Sequence, residues 1–117
     1  MVTMRRIPLL LERFGIEAIE YQALALGLTP GEFVSRAARY HLGAPQRPKS
    51  PGFLGELAVE WPRALTVALE PAAWSALEAE AYDAGVTVAQ LLARASLALA
   101  ADIDSGRVAA QIFAETA

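Results

Sequence analysis

The chain contains no cysteine, which excludes disulfides, thiolate metal sites and cysteine nucleophiles. Its one histidine, His41, has no serine and acid arranged around it as a catalytic set. No glycine-rich loop of the phosphate-cradling kind follows a strand. Asp102 and Asp104, ahead of Gly106, are too few for a calcium loop. There is also no run of about 18 apolar residues, so a membrane span is not expected. Near the start, Arg5 and Arg6 precede a short apolar stretch, but Glu12 and Arg13 break it before it reaches signal-peptide length. These absences point to a non-enzymatic, cytoplasmic protein without metal, cofactor or membrane partner.

What is present is apolar, helical in composition, and uneven in charge. Among the 117 residues, the formal net charge is −3. Residues 1–50 carry seven basic and four acidic side chains, and residues 51–117 carry three and nine. The first half is therefore +3 and the second −6, so an anionic partner would be met by the first half.

The chain repeats itself. Shifted by 58 positions, residues 6–42 match residues 64–100 without a gap, with nine identities in 37 positions, among them Gly27/Gly85, Thr29/Thr87 and Arg36/Arg94. Composition alone would give roughly three or four. Each unit has three parts. An alternating stretch comes first: Ile7, Leu9 and Leu11, or Leu65, Val67 and Leu69, on one face of a strand. Arg6, Pro8 and Leu10, or Ala64, Thr66 and Ala68, fall on the other. A helix follows, from about Phe14 to Leu26 and from about Pro71 to Ala84, with Pro71 suited to a first turn. A Gly-x-Thr turn then leads into a second helix, Pro30 to about Leu42 and Val88 to about Ala101. Thr29 with Glu32, and Thr87 with Gln90, are spaced as capping boxes.

The spacing divides the chain into unit 1 (1–43), a Pro/Gly-rich connection (44–62), unit 2 (63–104) and a tail (105–117) with a candidate short helix around Val108, Ile112 and Phe113. Phe53, Leu54, Leu57, Val59 and Trp61 are too apolar for a free linker, so part of the connection is expected on the core. Trp61 and Trp74 read as core residues. His41 reads as a favourable partner for the dipole of a helix C-terminus. Arg36 and Arg94 read as a solvated or salt-bridging helix face, and Glu78, Glu80 and Asp83 as a solvated one.

Strand, helix, glycine turn and capped helix in this order, carried above all by Ala64-Leu65-Thr66-Val67-Ala68-Leu69-Glu70-Pro71 and by Gly85-Val86-Thr87, resembles the ribbon-helix-helix family of the MetJ/Arc type. The resemblance implies a mainly α fold with a short antiparallel β-ribbon. Two units share a core, as a tandem pseudo-dimer within one chain or as a homodimer of such chains. It also implies a small prokaryotic transcription regulator that inserts the ribbon into the major groove of double-stranded DNA. The base-reading positions carried over are Arg6, Leu10, Ala64, Thr66 and Ala68. The phosphate positions are Thr29, Gly31 and Thr87, with Arg5 and Arg13 beside them. Of the strand residues, only Arg6 and Thr66 can hydrogen-bond a base, and Pro8 has no amide to give a ladder. The alternative reading is a protein-interaction module on the same scaffold, antitoxin-like or an assembly subunit, with the ribbon face turned to protein.

Overall fold

A computed structural model of the protein describes residues 1–43 and 58–104. The remainder of the connection, with Phe53, Leu54 and Leu57, and the tail with its candidate helix lie outside the described residues. Eight elements follow in order: β1 (Thr3–Ile7), β2 (Leu10–Glu12), α1 (Arg13–Leu26), α2 (Pro30–Leu42), β3 (Ala58–Glu60), β4 (Leu65–Leu69), α3 (Pro71–Ala84) and α4 (Val88–Asp104). The fold is mainly helical with a small antiparallel β component. Among the described residues no single helix is long and apolar enough to cross a membrane.

The duplicated helical hairpins match position for position. α1 and α3 both end on a glycine in the left-handed region, Gly27 at φ 73° and Gly85 at φ 71°. A residue with a β-carbon is strained there, which is why both copies of the turn carry glycine. After each glycine the chain sends an amide back into the helix it has left: Leu28 N–H to Ala23 O at 2.8 Å, and Val86 N–H to Ala81 O at 3.0 Å. Both capping boxes form. Glu32 N–H donates to Thr29 Oγ1 (3.1 Å) and Thr29 N–H to Glu32 Oε1 (2.8 Å). Gln90 N–H donates to Thr87 Oγ1 (3.0 Å) and Thr87 N–H to Gln90 Oε1 (2.8 Å). Each box satisfies two amides that a helix start leaves without partners.

The strands keep the repeat on one side and depart from it on the other. Ile7 faces Leu65, its own counterpart 58 positions on, with Arg5 opposite Val67 and Thr3 opposite Leu69. Beyond Ile7 the register changes by two residues. Pro8 ends β1 because it has no amide for the ladder. The chain resumes at β2, where Leu10 faces Glu60 and Leu11 faces Val59. Pro8 and Leu9 on one side therefore stand opposite Trp61, Pro62, Arg63 and Ala64 on the other. The Trp61 N–H donates to Leu9 O at 2.8 Å and carries the β2·β3 register up to this bulge. The single alternating strand expected over residues 6–12 is accordingly two strands, and Ala64 lies in the bulge rather than on the ribbon. β3, Ala58–Glu60, falls inside the connection and returns it to the start of the chain.

Leu65, Val67 and Leu69 point inward and are buried with Leu9, Leu11, Ile16, Ile19, Phe33, Val34, Trp61, Trp74, Leu77, Leu92 and Leu99 in one core. Both tryptophans are therefore core residues. Burying a side chain of leucine or phenylalanine size contributes about 1.5–3 kcal/mol each, so this core outweighs any surface pair. Ala37 and Ala38 of α2 and Ala93, Ala95 and Ala100 of α4 are buried too, and their small size lets these two helices pack closely. The second edge of β4 is covered by α2. Ser35 Oγ donates to Gly31 O (2.9 Å) and accepts from Ala68 N–H (2.9 Å), and Arg39 Nη2 donates to Ala68 O (3.0 Å). A strand of the second unit is thus held between β1 and α2 of the first.

Candidate nucleic-acid interface

In an antiparallel pair, residues directly opposite share a face. The outward face of β1·β4 accordingly carries Met4 and Arg6 from one strand and Ala68 and Thr66 from the other, with Arg6 directly across from Thr66. Arg6, Thr66 and Met4 are exposed and Ala68 is half-buried. Arg6 has no ion-pair partner among the described residues. This pair is a cation and a hydroxyl on a two-stranded ribbon, free to meet a hydrogen-bonding surface.

Beyond the bulge the face changes character. On β2·β3, Leu10 is 47% exposed and stands opposite the exposed Glu60, and Glu12 follows at the N-cap of α1. Leu10 and the Arg6–Thr66 pair are therefore on separate segments, one edged by acid and one by base. Ala64 lies between them, half-buried.

The cations carried over as phosphate contacts divide in the same way. Arg5 is on the core-facing side of β1, opposite Val67. Its guanidinium carbon sits 4.4 Å from the centroid of the Trp74 ring, and Nη1 is 3.4 Å from Glu78 Oε2. The Trp74 indole N–H in turn donates to Thr3 O at 2.9 Å. Arg5 is thus engaged in fastening β1 to α3, and Glu78, on the exposed face of α3, is its partner. Arg13 is exposed in the first turn of α1 beside Glu12.

Both threonines serve as caps. At α2 the box includes a carboxylate, and Thr29 holds the Glu32 carboxyl below its ordinary value, chiefly through its amide and secondarily through its side chain, with Arg36 assisting. A negative group therefore already occupies the positive end of α2. Gly31 is buried, and a β-carbon there would overlap the carbonyl oxygen of Thr66. Its role is to let α2 lie against β4. At α4 the equivalent of Glu32 is the neutral Gln90, so Thr87 opens the helix start with no carboxylate in it. Of the two helix starts, α4 is the one that electrostatics leaves open to an anion.

Two contacts were not legible in the chain as written. Met4 shares the outward face with Arg6; the alternation Thr3, Arg5, Ile7 is the signal that extends β1 backward to reach it. His41, in the last turn of α2, pairs with Glu80 of α3, so Glu80 is also engaged rather than solvated. Tyr40 Oη donates to Asp102 Oδ2 at 3.4 Å nearby. Among the described residues no three or more histidine, aspartate and glutamate side chains converge as a metal site would require.

No family model, no curated protein and no solved structure matches the chain. The functional reading therefore rests on the geometry above.

Proposed function

We propose that the protein binds double-stranded DNA as a tandem ribbon-helix-helix pseudo-dimer, with the outward face of β1·β4 entering the major groove. The observation that carries this reading is the Arg6–Thr66 pair, two exposed hydrogen-bonding side chains set directly opposite on a ribbon formed by the two halves of one chain. A two-stranded ribbon has the width of the major groove, and arginine is suited to the O6 and N7 acceptors of guanine. Met4 and Ala68 beside it offer apolar contact to thymine methyl groups. The start of α4 at Thr87, whose cap carries no carboxylate, is the phosphate contact that electrostatics favours. Regulation of transcription in a prokaryotic cytoplasm is the role that goes with this reading, and the DNA-bound form is a single chain.

Fluorescence anisotropy on mixed-sequence duplexes at rising salt tests it. Affinity is expected to fall as salt rises, and Arg6→Ala to weaken binding by about 1–3 kcal/mol. Absence of binding at low salt, or binding indifferent to Arg6, would remove the proposal.

A second reading is favoured by the other arm of the ribbon. Leu10 is 47% exposed and stands out between Glu60 and Glu12, a surface more suited to protein than to phosphate. On that reading the ribbon face is a protein-interaction module, antitoxin-like or part of an assembly, and Leu10→Asp abolishes a stoichiometric complex while leaving DNA out of account.

A further inference from the structure

We propose that the Met4–Ala68 pair recognises the methyl group at C5 of a pyrimidine, so that a site with cytosine at that position is bound more tightly once the cytosine is methylated. The inference rests on the DNA reading above and names what a second row of the ribbon reads.

The outward face of β1·β4 presents two rows. Arg6 and Thr66 form one, and Met4 and Ala68 the other. The Ala68 N–H donates to Ser35 Oγ and the Ala68 carbonyl accepts from Arg39, so both turn toward α2 and away from β1. Met4 and Ala68 are therefore a pair of the non-hydrogen-bonded kind, with α-carbons about 4.5 Å apart and side chains close together. They make one apolar patch, with Met4 70% exposed and Ala68 half-buried. Neither side chain is a strong donor or acceptor, and the backbone polar groups of Ala68 are already held. The next residue on this face of the second strand, Glu70, is the N-cap of α3 and lies past the last pair of the ladder.

The major groove displays donors, acceptors and one apolar group, the C5 methyl of thymine. A row without strong hydrogen-bonding side chains is matched by that methyl alone. 5-Methylcytosine carries the same methyl at the same place. It differs from thymine in the groove by an amine in place of O4, and this row has no group that tests the difference. Met4 and Ala68 thus read the methyl and not the base. Two residues along an antiparallel strand span about 6.8 Å and base pairs rise about 3.4 Å, so the methyl lies about two pairs from the one that Arg6 reads.

The test uses the full chain. Selection from a pool of random duplexes at low salt supplies a site, and fluorescence anisotropy follows its variants. Uracil, which lacks only the methyl, replaces thymine at each position in turn. Where uracil weakens binding, cytosine and 5-methylcytosine are then placed. Loss of the methyl is expected to cost about fourfold in affinity, and 5-methylcytosine to regain it. Met4→Ala should remove the difference between methylated and unmethylated duplexes, whereas Arg6→Ala should weaken all of them and keep that difference. Binding that ignores uracil at every position overturns the proposal, as does a methyl effect that persists in Met4→Ala. So does thymine preferred over 5-methylcytosine as strongly as over cytosine, because the row would then read the base. A chain that binds no duplex at low salt removes the DNA reading and this inference together, a result distinct from binding that ignores the methyl.

Discussion

Glu32 and Gln90 occupy one position in two copies of the same cap, and only Glu32 carries a charge. Because folding lowers the Glu32 pKa, its share of stability is present above the carboxylate's unfolded value of about 4.5. That share is lost as the pH falls through the folded value. Glu32→Gln, which copies the second unit, should flatten the acid limb of the unfolding curve below that point, while Gln90→Ala leaves its shape unchanged; urea melts from pH 3 to 7 read both. Thr29→Ala should cost about 0.5–2 kcal/mol at neutral pH. Gly31→Ala is a separate case, because the added methyl meets the Thr66 backbone and α2 must shift; a loss of about 1–3 kcal/mol is expected. The caps were legible residue by residue, since a threonine three positions before a glutamate or glutamine states its own hydrogen bonds. Gly31 was not, because nothing in Thr29-Pro30-Gly31 announces that a strand from position 66 runs beneath it.

Between elements, the helices were readable and the pairing of strands was not. Apolar spacing and glycine turns locate α1 to α4 within about three residues, because helix signals are local. Alternation at Ile7, Leu9 and Leu11 correctly marks inward residues, but periodicity contains no statement of which residue lies opposite. Pro8 divided that stretch, and beyond it the pairing shifted by two residues, to Leu10 opposite Glu60. Alternation along β1 turns two neighbouring arginines to opposite faces, and the pair makes a sharp test. Arg5→Ala should cost about 0.5–1 kcal/mol of stability through loss of its place over Trp74, with little effect on DNA affinity. Arg6→Ala should do the reverse. Ser35→Ala removes the acceptor of the Ala68 amide that ties α2 to β4, and unfolding measurements should show a loss of about 1–3 kcal/mol.

For the whole molecule, the composition foretold a helical protein with its positive charge in the first half, and the fold brings part of that charge to the ribbon. It also spends part of it internally, since Arg5 and Arg39 are committed to Trp74, Glu78 and the Ala68 carbonyl. The slope of log affinity against log salt should therefore be shallow for a DNA-binding protein. About two or three phosphates' worth of counterion release is expected, and titration at several salt concentrations measures it. The candidate site was only half legible for the same reason: the types of residue needed were visible in the chain, but which of them the core would claim was not.

The bulge on one side of the Ile7–Leu65 pair has one more consequence. A pair of identical units reads a duplex equally well in either direction, and its target is a palindrome. Here the two strands present unlike residues, the bulge lies to one side of the Arg6–Thr66 pair, and a basic arm gives way to an acidic one. Such a molecule has a front and a back. Laid in a groove it would lie one way round, and the sequence it prefers would be directional, with an arrow along the double helix in place of a mirror.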